Sequence, residues 1–182
     1  VGLTPDAVWC HVGEERAYGC HDIVNWPSEE VFTSPDPARV EGTFACTRPV
    51  SVSGREIRGL RGEIHGGRLV DADADDRGAL AVLLGLLDGD EGGRRLGEIA
   101  LVDATSPIGR TGRVYGDTLL DENAASHMAF GAGMAHARRA DGPVNASATH
   151  IDVMIGSDAL EVVGVRPDGG RVDVIRDGRF VL

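Results

Sequence analysis

Aromatic residues are scarce in this chain, at 4% of its 182 residues. A core built with so few rings must be aliphatic, so Val, Leu, Ile and Ala are expected to fill it. Hydrophobic residues make up 42%, an ordinary globular share, and the length suffices for one domain with a proper core. Glycine is frequent instead, and its 26 residues predict many turns and tight connections.

Cysteine is sparse as well. Cys10, Cys20 and Cys46 make an odd count and include no Cys-x-x-Cys pair. This argues against a disulfide framework and favours a reducing, cytoplasmic compartment. The neighbours Cys10-His11 and Cys20-His21 match no standard zinc spacing, so ordinary buried or surface thiols are expected.

Neither a long apolar run nor a basic patch is present. No stretch approaches the roughly 20 apolar residues of a membrane-spanning helix. The formal net charge is −11, which argues against nucleic acid and anionic membranes as partners. An acidic balance suits a soluble cytoplasmic protein, and a carboxylate-rich site attracts metal ions or ammonium groups.

Patterns typical of strands cover most of the chain, and helical patterns are few. A cap at Asp75 or Asp76 predicts a helix to about Leu87. Residues 121–134 are predicted as a second helix and 91–96 as a helical turn. Strands are predicted at 8–12, 43–52, 56–65, 68–72, 97–102, 149–155, 160–165, 171–175 and 179–182, with a turn and extended exit at 23–32 and loops at 103–118 and 140–148. Without a regular βαβ alternation, these elements predict an α+β fold with mixed or antiparallel strands and a few helices.

His150-x-Asp152 is the most informative short motif. It lies in a β-branched, apolar stretch that predicts a strand, and residues two apart on a strand project from the same face. Imidazole and carboxylate together form a good ligand set for a divalent first-row metal. The alternative is that His150 forms a local hydrogen bond and Asp152 caps a turn.

Three more polar positions stand near apolar elements. Glu98 lies within Leu96-Gly-Glu-Ile-Ala-Leu-Val102, where a charge is costly unless it is paired or bound to metal. The alternative for Glu98 is the polar face of an edge strand. His127 is surrounded by small and apolar residues, as a structural histidine also is. Glu30 follows Glu29, and one of the two must face inward if this segment is a strand.

Several stretches, in the same order along the chain, together resemble the aminopeptidase T family of metalloaminopeptidases, which includes aminopeptidases S and PepS. The stretches are Asn25-x-Pro-Ser-Glu-Glu-Val-Phe-Thr-Ser-Pro35 with Val40-Glu-Gly42, Asp90-Glu-Gly92, Leu96-Gly-Glu-Ile-Ala-Leu-Val102, Asp121-Glu-Asn-Ala-Ala-Ser-His127 and His150-x-Asp-x-Met-Ile-Gly156. The resemblance implies a two-metal site formed by two glutamates, two histidines and an aspartate. Residue by residue these are Glu30, Glu98, His127, His150 and Asp152, with Glu98 bridging the ions.

The resemblance also implies an activity and an architecture. Residues 1–182 would form the catalytic domain of a larger protein whose N-terminal α/β domain is absent from this chain, and a homodimer is expected. Two divalent ions (Zn, Co or Mg) would activate a water that releases N-terminal amino acids from peptides with a free N-terminus. Glu30 and Glu98 would be the catalytic carboxylates. Glu29 and Glu122 are the nearest candidates for the general acid that protonates the leaving amine.

One departure from the family concerns Met134. The family has a tyrosine seven residues after the histidine of the Glu-Asn-Ala motif, and a thioether cannot donate the hydrogen bond of a phenol. His136 lies nearby as a partial substitute, but on a helix it faces a different direction from residue 134.

Two other functions fit parts of the pattern. His127, His150 and Asp152 also make a possible facial triad for a mononuclear Fe(II) dioxygenase, which would leave Glu30 and Glu98 without a role. Alternatively, the chain is a catalytically decayed metal-binding or dimerisation module, for which Met134 and the missing domain are the arguments.

Overall fold

A five-stranded antiparallel sheet forms the centre of the computed structural model, which describes residues 1–11, 26–139 and 144–182 and the backbone of 14–15 and 21–22. Its strands are β1 (Cys10–His11), β2 (Glu14–Glu15), β3 (His21–Asp22), β4 (Glu30–Thr33), β5 (Gly42–Ala45), β6 (Val50–Val52), β7 (Arg55–Ile57), β8 (Arg61–His65), β9 (Arg68–Asp73), β10 (Leu96–Val102), β11 (His127–Gly131), β12 (His150–Met154), β13 (Val162–Val165), β14 (Arg171–Arg176) and β15 (Arg179–Phe180). The helices are α1 (Arg77–Leu87) and α2 (Thr118–Glu122), with 3₁₀ turns at Gly109–Thr111 and Ala135–Ala137. The predicted α+β class is confirmed.

The central sheet has the order β1-β4-β10-β11-β12, and every neighbouring pair is antiparallel. Smaller sheets surround it: β5-β8-β9, β6-β7, β13-β14-β15 and β2-β3. The hairpins β6-β7 and β14-β15 each turn through two residues with positive φ, Ser53-Gly54 and Asp177-Gly178. Such two-residue turns match the twist of the strands that they join.

The main core lies between one face of the central sheet and α1. Asp76 caps α1 because its side chain accepts hydrogen bonds from the N–H groups of Gly78 and Ala79. Leu80, Leu83 and Leu87 follow at helical spacing and are buried. They join Val50, Ile57, Leu60, Leu69, Leu96, Met128, Phe130 and Val153 in one apolar cluster. The predicted helix and its aliphatic core are therefore confirmed.

Two helical predictions are wrong. Residues 121–134 do not form a helix, because α2 ends at Glu122 and His127–Gly131 is a strand at the centre of the sheet. The small residues Ala129 and Gly131 of this segment lie on that strand, which pairs with β10 on one side and β12 on the other. Residues 91–96 form turns that lead directly into β10, not a helical turn.

The strand predictions hold better, with shifted ends. The segments predicted at 43–52 and 56–65 each divide into two strands at a turn. The strands at 149–155, 160–165 and 171–175 are confirmed as β12, β13 and β14. The strand at 8–12 appears as β1, while Val12, Cys20 and the start of the turn at 23–32 lie outside the described residues. No helix among the described residues is long and apolar enough to cross a membrane.

Candidate metal centre

Strand register brings the five predicted ligands to one face of the central sheet. Glu98 on β10 lies opposite Ala129 on β11, which in turn lies opposite Asp152 on β12. Residues directly opposite each other share a face, as do residues two apart along a strand. His150 is two residues from Asp152 and therefore projects from this face, which we call the ligand face.

The other two ligands follow from the same pairing. His127 lies opposite Ala100, and Glu30 lies opposite Val102. Ala100 and Val102 are two and four residues from Glu98 on β10, so both pairs belong to the ligand face. The opposite face carries the apolar residues of the core, including Met128, Phe130 and Val153.

Small residues between the ligands leave room for their side chains. Ala100, Ala129 and Gly131 occupy the ligand face, and each contributes a methyl group or less. Gly131 has φ +107°, and a Cβ atom there would lie 2.1 Å from the carbonyl oxygen of Thr149. Only glycine fits this position, which lies directly opposite His150.

A β-bulge at Gly97 sets which face Glu98 occupies. The register shifts between Leu96, opposite Phe130, and Glu98, opposite Ala129. In a regular strand Leu96 and Glu98 would share a face, whereas one extra residue separates their directions. The bulge therefore lets Leu96 enter the core while Glu98 projects from the ligand face.

The ligand atoms of the five predicted residues fall into two groups of three. Atoms of Glu30, Glu98 and His127 lie within 4.8 Å of one another, and so do atoms of Glu98, His150 and Asp152. Glu98 belongs to both groups. Glu30, Glu98, His127 and Asp152 are each less than a tenth exposed, while the side chain of His150 is 28% exposed.

The backbone just before β11 orients the side chain of His127. Its Nδ1 atom lies 3.1 Å from the carbonyl oxygen of Ala125, and its Nε2 atom lies 3.1 Å from Oε2 of Glu30. A proton on Nδ1 that is donated to Ala125 directs Nε2 towards the carboxylates. Burial opposes protonation of His127, but the carboxylate of Glu30 and the charges of Asp152 and Glu98 outweigh it and raise the pKa to about 9.

A backbone carbonyl group also orients the side chain of His150, which belongs to the second group of ligands. Its Nδ1 atom lies 2.9 Å from the carbonyl oxygen of Ala132, and Nε2 lies 3.0 Å from Glu98 and 3.3 Å from Asp152. Burial lowers the pKa of His150, but hydrogen bonds to Asp152 and Glu98 raise it to about 11. The pKa of Asp152 is lowered: burial opposes ionisation, and the hydrogen bond and charge of His150 prevail.

This donor set fits divalent cations. Buried carboxylates are expensive unless a positive charge compensates them. Oε2 of Glu30 is buried and accepts no well-aligned hydrogen bond within the described residues, although His127 is close. A desolvated, ionisable oxygen suits a cation as its partner, and imidazole with carboxylate suits zinc, cobalt and similar ions.

Comparison with known proteins decides the family. The sequence profile of the thermophilic metalloproteases (M29) matches residues 1–180. Aminopeptidase T of Thermus aquaticus is 48% identical over 192 residues, covering 100% of this chain and 46% of the relative, and aminopeptidase PepS of Streptococcus thermophilus is 37% identical with the same coverage. The solved structure of wild-type AmpT from Thermus thermophilus superposes with a TM-score of 0.90 at 41% identity, over 100% of this chain and 47% of that one.

The chain belongs to the M29 family of thermophilic metalloproteases. It spans about half the length of the relatives it matches. The resemblance recognised in its motifs is thereby confirmed.

Glu122, one of the two candidates for the general acid, lies beside the candidate ligands, a position that the sequence did not predict. It ends α2, and one of its carboxylate oxygens lies within 4.8 Å of ligand atoms of His127 and Asp152. Burial and the charge of Asp152 raise the pKa of Glu122 to about 8. The motif Asp121-Glu-Asn-Ala-Ala-Ser-His127 contained this residue, but the false helix over 121–134 hid its relation to the sheet.

Glu29 does not join these groups. Its backbone N–H donates to Oδ1 of Asn123 at 2.6 Å, and Nδ2 of Asn123 donates to the carbonyl oxygen of Leu119. Asn123 is fully buried, so it fastens the start of β4 to α2. Glu29 thereby supports the position of Glu30 through its main chain, while Glu30 is the residue of the pair that points into the site.

Met134 lies where the motif resemblance implies a tyrosine. Its N–H donates to Oγ of Ser34 at 2.7 Å, and it directly precedes the 3₁₀ turn Ala135–Ala137. His136 on that turn packs edge-on against Phe32, with ring centres 5.6 Å apart. Phe32 shares the ligand face with Glu30, so His136 packs beside that face from a 3₁₀ turn that lies beyond the end of the predicted helix.

Proposed function

We propose that this chain carries the two-metal site of an aminopeptidase and corresponds to the catalytic half, residues 1–182, of a larger enzyme. The observation that carries the proposal is the pair of ligand groups that share Glu98 on one sheet face. A shared carboxylate between two sites is the arrangement that two-metal hydrolases use. The names of the M29 relatives supply the class of reaction.

The residues divide between the two ions by proximity. Glu30 and His127 would hold one ion, His150 and Asp152 would hold the other, and Glu98 would bridge them. Glu122 would add a further carboxylate beside His127 and Asp152, which makes it the sixth ligand of our proposal. The ions would be Zn, Co or Mg, and a homodimer is expected from the family resemblance.

Bound divalent ions would supply Lewis acidity towards a peptide carbonyl and a nucleophilic water at neutral pH. The protein contributes orientation: the carbonyl oxygens of Ala125 and Ala132 hold the two imidazoles so that Nε2 faces the carboxylates. The four acidic side chains also favour a cationic group in the substrate. A free α-ammonium group meets this requirement, so peptides with a free N-terminus are the proposed substrates.

The dioxygenase alternative is less well supported. It requires His127, His150 and Asp152 to surround a single ion. Among the described residues, His127 and His150 fall in different ligand groups. A catalytically decayed module would keep the same geometry and lose only turnover. A measurement of peptidase activity therefore distinguishes it from an enzyme.

Metal content and peptidase activity test the proposal together. The protein is treated with chelator, reloaded with cobalt or zinc, and assayed for bound ions and for release of p-nitroaniline from leucine p-nitroanilide. We expect two ions per chain and metal-dependent turnover. One oxidisable iron per chain would instead support the dioxygenase, and two ions without turnover would support a decayed site.

A further inference from the structure

The edge strand β12 bears two of the proposed ligands, and its outer edge borders a cavity. β12 pairs with β11 on one side and is the last strand of the central sheet within the described residues. The cavity has a volume of about 350 Å³, and Ser51, Ser53, Thr118, Thr149, His150 and Asp152 lie along it. That volume is within the range of small-ligand sites.

Hydrogen bonds at both ends of the β11-β12 ladder fix the direction of each main-chain group. The N–H of Ala132 donates to the carbonyl oxygen of Thr149 at 2.7 Å, and the N–H of Ile155 donates to that of Ser126 at 2.9 Å. Bonded and non-bonded pairs alternate in an antiparallel ladder. Thr149, Ile151, Val153 and Ile155 therefore turn their main-chain groups towards β11.

The residues between them turn their main chain outwards. These are His150, Asp152 and Met154, and the carbonyl oxygen of Met154 does accept a hydrogen bond from Thr47 at 2.8 Å across the outer edge. For His150 and Asp152, the described part of the chain supplies no main-chain partner on that side. Both residues line the cavity, directly beside the ligand face.

We propose that the main chain of a peptide substrate lies in this cavity as an added strand and exchanges hydrogen bonds with His150 and Asp152. The ligand's identity as a peptide rests on the aminopeptidase function proposed above. Unpaired strand edges recognise extended peptides through main-chain bonds that are independent of side chains. The acidic residues next to the edge favour the α-ammonium end of that peptide, which fixes the end that approaches the metal ligands.

Hydrogen exchange at two amides tests the added strand without catalysis. Tetra-alanine with a free N-terminus is added to the protein in the presence of chelator, and amide exchange is followed by NMR. We expect the amides of His150 and Asp152 to exchange at least about tenfold more slowly with peptide, the effect of one hydrogen bond of ordinary strength. Two results would overturn the proposal. The amides could already exchange slowly in the free protein because another segment covers this edge, or their exchange rates could be unchanged when the peptide is added.

A second experiment compares peptides that are each N-methylated at a single amide. Because successive amides of a strand point in opposite directions, methylation at one of two neighbouring positions should weaken binding about tenfold and methylation at the other should not. Equal effects at both positions would contradict strand pairing. If the metal-loaded enzyme hydrolyses no peptide at all, the aminopeptidase proposal fails, while the exchange result still decides whether the edge binds peptide.

A cavity-filling variant gives an independent check. Thr118→Phe places a ring in the cavity, and Thr43→Phe on the exposed strand β5 is the matched control. We expect Thr118→Phe to raise KM for tripeptides while metal content stays at the wild-type value, and Thr43→Phe to change neither. Unchanged KM in a folded, metal-loaded Thr118→Phe variant would place the substrate elsewhere.

Discussion

At the residue scale, the carboxylate of Glu98 links the two groups of candidate ligands. Glu98 is 4% exposed and is the member common to both ligand groups. A charge this deeply buried destabilises the folded protein unless an opposite charge compensates it. His150 lies 3.0 Å from Glu98, and under the proposed function the two cations that Glu98 would bridge add to that compensation.

The substitution Glu98→Gln should remove both ions rather than one. We expect metal content below one ion per chain and a fall in kcat of at least about a hundredfold. Loss of a residue that only hydrogen-bonds to a metal ligand already lowers metal affinity or activity by about 10- to 100-fold. Metal analysis and turnover of leucine p-nitroanilide measure the two effects. Glu29→Gln is the matched control, because Glu29 supports the site through its backbone N–H; a Glu98→Gln variant that keeps two ions would exclude the bridge.

Glu122→Gln tests the sixth ligand in a separate way. If Glu122 binds metal as proposed, the variant should bind its ions at least about tenfold more weakly, as measured by competition with a chelator. Unchanged metal affinity combined with a lower kcat would instead assign Glu122 to proton transfer.

At the element scale, the bulge in β10 is the feature that the sequence concealed. The residues Leu96, Gly97 and Glu98 carry no pattern that distinguishes a bulge from a regular strand, because the register depends on the partner strand. The helix predicted over 121–134 was wrong for a related reason. On β11 the ligand face carries the small residues Ala129 and Gly131, which alternate with Met128 and Phe130. This alternation lacks the contrast between polar and apolar residues that marks a half-buried strand.

Gly97→Ala should disrupt the site without touching a ligand. A Cβ atom at Gly97 would lie 2.2 Å from the carbonyl oxygen of Ala132, the group that orients His150. We expect weaker metal binding and lower thermal stability. Gly85→Ala is the control, because Gly85 is on α1 with open space around it, and alanine there should stabilise the protein by about 0.5–1 kcal/mol. Wild-type metal affinity in Gly97→Ala would refute the role of the bulge.

At the scale of the whole molecule, much of the architecture could be predicted from the sequence. The aliphatic core, α1 with its Asp76 cap and the β13-β14 hairpin follow from local patterns. The five candidate ligands were brought together by motif resemblance, since no local pattern relates Glu30 to residues 68 to 122 positions away. The contacts of Glu122 required the fold itself.

Removing metal should destabilise the entire molecule. Four carboxylates meet at the centre of the main sheet, and a cation that binds only the folded state adds about 4 kcal/mol of stability at a thousandfold excess over Kd. We expect chelation to lower Tm by roughly 10 °C for a chain of this size, measured by calorimetry with and without added zinc. An unchanged Tm in a protein known to have lost its ions would contradict a structural contribution from the site.

The most direct test of the central claim is anomalous X-ray diffraction from crystals of the zinc- or cobalt-loaded protein. We expect two peaks per chain on the ligand face, one beside Glu30 and His127, the other beside His150 and Asp152, with Glu98 between them. A single peak, or peaks away from Glu98, would contradict that claim.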